Sequence, residues 1–188
     1  MKKGLLASLF VPLFISAFVL AGNSQEQRIF LPEGSVAPTF SGKAQDGREI
    51  SLDKMLKKGP VFVLFWKEVC PHNPRASKLY NALYEAYKDK VQFVGIVWTS
   101  PEKIAEWAKG FQVQYPLLPD PEKKLVKAYE MRFSVVAVEI GKDGKIAQVF
   151  PGYGKETLEN LNRAFAKAAG VEVANVDLSK APPRQTFG

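Results

Sequence analysis

Six consecutive apolar residues, Val61-Phe62-Val63-Leu64-Phe65-Trp66, run without a polar interruption toward Cys70-Pro71-His72-Asn73. A β-forming run with no alternation is what a strand covered on both faces requires, so this segment belongs in the middle of a sheet. Beyond it, Ala76, Leu79, Tyr80, Leu83 and Tyr87 recur at three- and four-residue spacing, which predicts an amphipathic helix starting near Asn73. The cysteine therefore falls at a strand-to-helix junction.

The rest of the chain repeats the pattern. Asp46-Gly47 is a turn dipeptide between 40–44 and 48–52 and predicts a small hairpin. Val91 to Trp98 reads as a second buried strand. Ser100 as N-cap and Pro101 at the first helical position predict a helix with the stripe Ile104, Ala105, Trp107, Ala108 and Phe111. A short helix over 122–130, a strand over 135–140, a turn at 142–145, a returning strand over 146–150 and a last helix over 155–169 complete the order. Strand, helix, strand, helix, hairpin, helix predicts an α/β fold, a central mixed sheet flanked by helices with an N-terminal hairpin extension.

The N-terminus reads differently. Lys2 and Lys3 precede an apolar stretch from Gly4 to Leu20, and Val19-Leu20-Ala21 offers small residues for cleavage, the pattern of an export signal. The same stretch is near the lower length limit for spanning a bilayer and contains Pro12, so the reading favours cleavage, with membrane attachment only through an uncleaved segment. The expected organisation is a signal peptide over 1–21, a polar linker over 22–34, one domain over 35–170 and an irregular tail over 171–188 that includes Pro182-Pro183. An exported, periplasmic or otherwise extracytoplasmic location follows from that signal.

Composition narrows the function. A content of 46% hydrophobic and 24% charged residues is that of an ordinary globular domain, which excludes disorder throughout. The formal charge of +7 falls to +5 once Lys2 and Lys3 are removed, and the remaining lysines are scattered. No basic stripe with interleaved aromatics is present, so no nucleic-acid partner is expected. With one cysteine, Cys70, and one histidine, His72, the chain can form no internal disulfide and no four-ligand Cys/His zinc site. No metal and no cofactor is expected.

The segment Phe65-Trp66-Lys67-Glu68-Val69-Cys70-Pro71-His72-Asn73 resembles the strand-to-helix active site of exported thioredoxin-fold proteins of the redoxin type. These are the TlpA-like thiol-disulfide oxidoreductases and the alkyl hydroperoxide reductase or thiol-specific antioxidant group. Gly34 to Phe40 is similar to their entry motif, Asp46 to Leu52 to their N-terminal hairpin, Tyr115 to Asp120 to the segment before the penultimate helix, and Lys142 to Ile146 to the final hairpin. The resemblance covers about residues 34 to 168 and implies a thioredoxin-like fold with Cys70 as nucleophile. Trp66, Lys67, Glu68, Pro71, His72, Asn73 and Val135 are the residues it places around that cysteine.

The chain departs from that pattern at three points. Asn73 stands where a TlpA-like protein has its second cysteine, so the resolving thiol is missing. Lys67 and Val63 stand where a typical peroxiredoxin has threonine and proline. Ser134-Val135-Val136 occupies the place of the cis-proline, and Val135 is expected to be trans because a cis bond before a non-proline residue costs about 2.5 to 4 kcal/mol.

A cysteine before a helix start lies near unsatisfied N–H groups and the positive end of the helix dipole, a setting that favours thiolate. With one sulfur, either disulfide exchange or peroxide reduction needs an external resolving thiol, hence a thiol or thiol-disulfide partner protein. The alternative is a non-catalytic binding or assembly module that has lost the dithiol site, with 171–188 as its contact segment. Asn73 reads as an N-cap ahead of Pro74, and Trp66, Tyr80, Tyr84 and Tyr87 as packing.

Overall fold

The computed structural model describes residues 30–188, so the signal segment and most of the expected linker lie outside the described residues. The hairpin forms as β1 (Ser41–Lys43) and β2 (Glu49–Ser51), followed by the short helix α1 (Leu52–Leu56). The uninterrupted apolar run becomes β3 (Val61–Lys67) and leads into α2 (Asn73–Tyr87). Then come β4 (Gln92–Trp98), α3 (Ile104–Gly110), β5 (Leu117–Pro119), α4 (Lys124–Ala128), β6 (Val136–Ile140), β7 (Ile146–Pro151) and α5 (Lys155–Ala169).

The main sheet has the order β5-β4-β3-β6-β7, which puts β3 at its centre as the unbroken apolar run demands. β3 pairs in parallel with β4 and antiparallel with β6, so the sheet is mixed. Successive side chains of β3 enter opposite layers. Phe62, Leu64 and Trp66 join α2, α3 and α5 in one core. Val61, Val63 and Phe65 join Phe40, Leu52, Tyr129 and Leu118 in the other, beneath the hairpin, α1 and α4. This is the thioredoxin-like α/β arrangement.

Three local readings need correction. α3 does not open at Pro101: the N–H groups of Lys103 and Ile104 both donate to the Ser100 carbonyl at 3.2 Å, and 101–103 make a turn before regular helix begins at Ile104. β5 was missed because it is three residues long, sits at the sheet edge and ends in proline, whose lost donor is tolerated only there. Residues 30–34 pack rather than hang free, with the Leu31 N–H donating to the Tyr129 carbonyl (3.1 Å) and the Gly34 N–H to that of Ile146 (2.8 Å).

Candidate active site

β3 ends at Lys67 and α2 begins at Asn73, and Cys70 lies in the loop between them. Three braces from different elements hold this loop. The Lys67 N–H donates to the Ser134 hydroxyl (3.0 Å), and the Trp107 indole N–H donates to the Glu68 carbonyl (3.1 Å). The Asn73 amide donates to the carbonyls of Lys67 (2.9 Å) and Glu68 (3.1 Å). Asn73 is therefore not the side-chain N-cap the sequence suggested. The cap position is His72, which makes no side-chain cap bond, and the buried Asn73 amide faces backward, where it donates to the carbonyls at the end of β3. Pro74 sits in the first helical turn, where a missing N–H costs nothing.

Cys70 is buried, at 8% exposure. His72 stands beside it half-buried, its Nδ1 2.8 Å from the Tyr153 hydroxyl. Burial pushes the Tyr153 phenol above its usual range; the Arg75 charge pulls it partly back and charge on Cys70 adds to the rise. Tyr153 thus stays a neutral O–H through the physiological range, able to donate to an unprotonated Nδ1 or to accept from Nδ1–H.

The other expected residues are placed as follows. Trp66 is core, 1% exposed, with ring centroids 5.7 Å from Tyr80 and 5.6 Å from Trp107. The Lys67 side chain and Pro71 are exposed, and the Glu68 carboxylate pairs with Lys103 at 3.5 Å. Tyr80 and Tyr87 are buried packing residues whose hydroxyls donate to the Gly152 carbonyl (2.8 Å) and to Asn162 Oδ1 (2.6 Å).

The Ser134–Val135 peptide bond is cis, against the expectation of trans. In this geometry the Val135 carbonyl accepts from the Gly152 N–H (2.8 Å), while the backbone N–H and carbonyl of Ser134 both point to residue 188. The Ser134 N–H donates to the Gly188 carbonyl (3.0 Å), and the Gly188 N–H donates to the Ser134 carbonyl (2.5 Å), the reciprocal pair of an antiparallel ladder. Residue 188 reaches the cysteine as well: a Cβ built there would collide with the Cys70 sulfur. Sequence reasoning placed Ser134-Val135-Val136 at the cis-proline position and offered 171–188 as a contact segment, but it missed the Ser134 hydroxyl as a brace, the approach of residue 188 to Cys70, and the roles of Trp107 and Tyr153, because each is far from Cys70 in sequence.

Comparison with known proteins decides the family. The model of the AhpC/TSA family matches residues 34–149, well over half the chain. The chain belongs to the AhpC/TSA family. Among curated proteins, it is 26% identical over 137 residues to thiol-disulfide oxidoreductase ResA of Geobacillus thermodenitrificans, covering 72% of this chain and 78% of that protein. To chloroplastic peroxiredoxin Q of Gentiana triflora it is 32% identical over 95 residues, 50% of this chain and 43% of that one. The same fold reappears in the solution structure of a putative protein disulfide isomerase from Bacteroides thetaiotaomicron, with TM-score 0.66, 24% identity and coverage of 75% of this chain and 92% of that chain. Membership thus supports the thiol oxidoreductase class, and the pattern at Cys70 distinguishes this member within it.

Proposed function

We propose that the chain is an exported thiol-disulfide oxidoreductase with one nucleophile, Cys70, whose resolving thiol comes from a partner. The observation that carries this reading is that an extended stretch of polypeptide pairs with the Ser134 backbone and brings residue 188 against the Cys70 sulfur. A site able to seat a peptide backbone beside a thiol suits a polypeptide disulfide better than a small peroxide, and Lys67 and Val63 do not reproduce the residues a peroxiredoxin uses.

The Cys70 thiolate attacks one sulfur of a partner disulfide. A new S–S bond forms to Cys70, the partner S–S bond breaks, and the departing sulfur leaves as thiolate and takes a proton. Since Asn73 offers no second thiol, an external thiol attacks the mixed disulfide and loses its proton, forming a disulfide with the partner sulfur and returning Cys70 to its reduced state. We assign the proton donor for the departing thiolate to His72, a reading supported by its position two residues after Cys70 and its contact with the Tyr153 hydroxyl (2.8 Å). The Lys2-Lys3 start and the apolar stretch that follows support export.

The test is incubation of the purified protein with glutathione disulfide and intact-mass measurement. A glutathione adduct on Cys70 that added thiol removes, absent in Cys70→Ser, is expected. A protein that takes no adduct but yields a trappable sulfenic acid with hydrogen peroxide would replace disulfide exchange with peroxide reduction. The burial of Cys70 favours a second reading, a binding module without turnover, and its signature is a Cys70→Ser variant that keeps full function in the cell at normal protein levels.

A further inference from the structure

Residues 171–188 form no helix or strand, yet they run from the end of α5 across the domain to Cys70. Their two halves are held differently. Up to Pro182 the segment is anchored by packing: Leu178 and Ala181 are buried in the core of α2 and α5, Ala174 is bonded to Tyr87 and Asn162, and the Lys180 carbonyl accepts from Arg75 Nε (2.8 Å). The Pro182 carbonyl accepts from the Lys155 N–H (2.8 Å).

From Pro183 onward no residue is fully buried, and hydrogen bonds take over. The Tyr153 N–H donates to the Thr186 carbonyl (3.2 Å), Gln185 Nε2 donates to the Pro151 carbonyl (2.9 Å), and Gly188 forms its reciprocal pair with Ser134. The rings of Phe187 and the exposed Phe133 pack with centroids 5.2 Å apart. Two glycines form the bed of this stretch. A Cβ at Gly152 would stand 2.5 Å from the Thr186 carbonyl oxygen, and one at Gly154 would stand 2.8 Å from that of Arg184 and 2.9 Å from Gln185 Cα.

We propose that residues 183–188 are an internal strap: they occupy the strand-pairing groups of Ser134, close over Cys70, and are displaced when an extended polypeptide takes the same groups. This rests on the reading of Cys70 as the reacting thiol. A segment held by a few backbone bonds with little buried apolar surface opens locally at low free energy, while the packed stretch up to Pro182 keeps it tethered for reclosure. The strap slows reaction with small disulfides and favours a partner that offers backbone as well as a disulfide.

The experiment compares the rate of Cys70 alkylation by iodoacetamide in the full chain, in a variant lacking 183–188, and in Gly154→Ser. Serine at 154 places its Cβ in the path of Arg184 and Gln185, and as the N-cap of α5 it favours that helix, so this variant tests the strap even if the deletion fails to fold. Both variants are expected to alkylate about tenfold faster or more, the scale set when access needs local opening against several backbone hydrogen bonds. Equal rates in the full chain and the folded variants overturn the strap. Fast alkylation of the variants without any glutathione adduct on Cys70 leaves the strap standing and removes the oxidoreductase reading instead.

Discussion

Asn73 and Lys67 are joined by a bond that runs against the direction of the chain: the first residue of α2 donates its amide at 2.9 Å to the last carbonyl of β3. Its other contact is the Glu68 carbonyl, and the side chain is 1% exposed. Removing the amide takes that donor from the Lys67 carbonyl and leaves the Glu68 carbonyl with the Trp107 indole, so Asn73→Ala is expected to lose about 1 to 3 kcal/mol. Asn73→Asp keeps the shape, faces both carbonyls with a charge, and is expected to lose at least as much. Urea denaturation monitored by tryptophan fluorescence measures both; a loss below about 0.5 kcal/mol, the range of a neutral surface change, would contradict the brace.

This brace also shows where sequence stops being readable. The central position of β3, the start of α2 at Asn73 and the span of α5 follow from periodicity and local turn chemistry, which act within a few residues. The placement of Cys70 at the strand-to-helix junction was legible for the same reason. What Asn73 does with its amide was not, since the choice between capping and bracing depends on which carbonyls the folded loop leaves unpaired. Ser134, Tyr153 and Gly188 reach Cys70 only through the crossing of β6, β7 and the final segment, and no local pattern encodes that meeting.

Tyr87 ties three parts of the chain together. Its hydroxyl donates to Asn162 Oδ1 on α5 (2.6 Å) and accepts from the Ala174 N–H (2.7 Å), while Asn162 Nδ2 donates to the Ala174 carbonyl (2.9 Å). Tyr87→Phe removes one oxygen and leaves both an acceptor and a donor unpaired, which is expected to cost about 1 to 3 kcal/mol. Tyr84→Phe, on the same helix and partly buried, is the control and is expected to change stability by less than about 0.5 kcal/mol. Hydrogen exchange at Ala174 should accelerate in Tyr87→Phe alone; unchanged protection there would rule out the tie.

Gly95 lies in the middle of β4, opposite Leu64 and Leu117. A Cβ there would collide with Leu117 Cδ2 and stand 3.1 Å from Tyr115 Cε2. Tyr115 and Leu117 are both fully buried, so neither can swing into solvent. Gly95→Ala is expected to destabilise by about 1 to 3 kcal/mol through overpacking, although alanine is the better strand former by conformational entropy. A thermal melt that rises on this substitution would show that the edge strand β5 yields freely.

Glu139 is a carboxylate in an unfavourable place. It sits on β6 opposite Phe62 and Gln148, where burial raises its pKa above the ordinary glutamate value and the Lys167 charge only partly offsets the rise. The folded state therefore holds the proton more tightly than the unfolded chain does. The stability this gives is fully present below the unfolded pKa, falls as pH rises through the unfolded and then the raised folded value, and is absent above both. At neutral pH the folded protein carries a charge that burial opposes. Glu139→Gln keeps the shape without the charge, so its melting temperature should exceed that of the parent chain at about pH 7, with the difference shrinking toward zero as the pH is lowered to about 4. Paired thermal melts across that range decide it: a substitution that destabilises at neutral pH, or a difference that does not change with pH, would show that the Glu139 charge is well accommodated on the sheet.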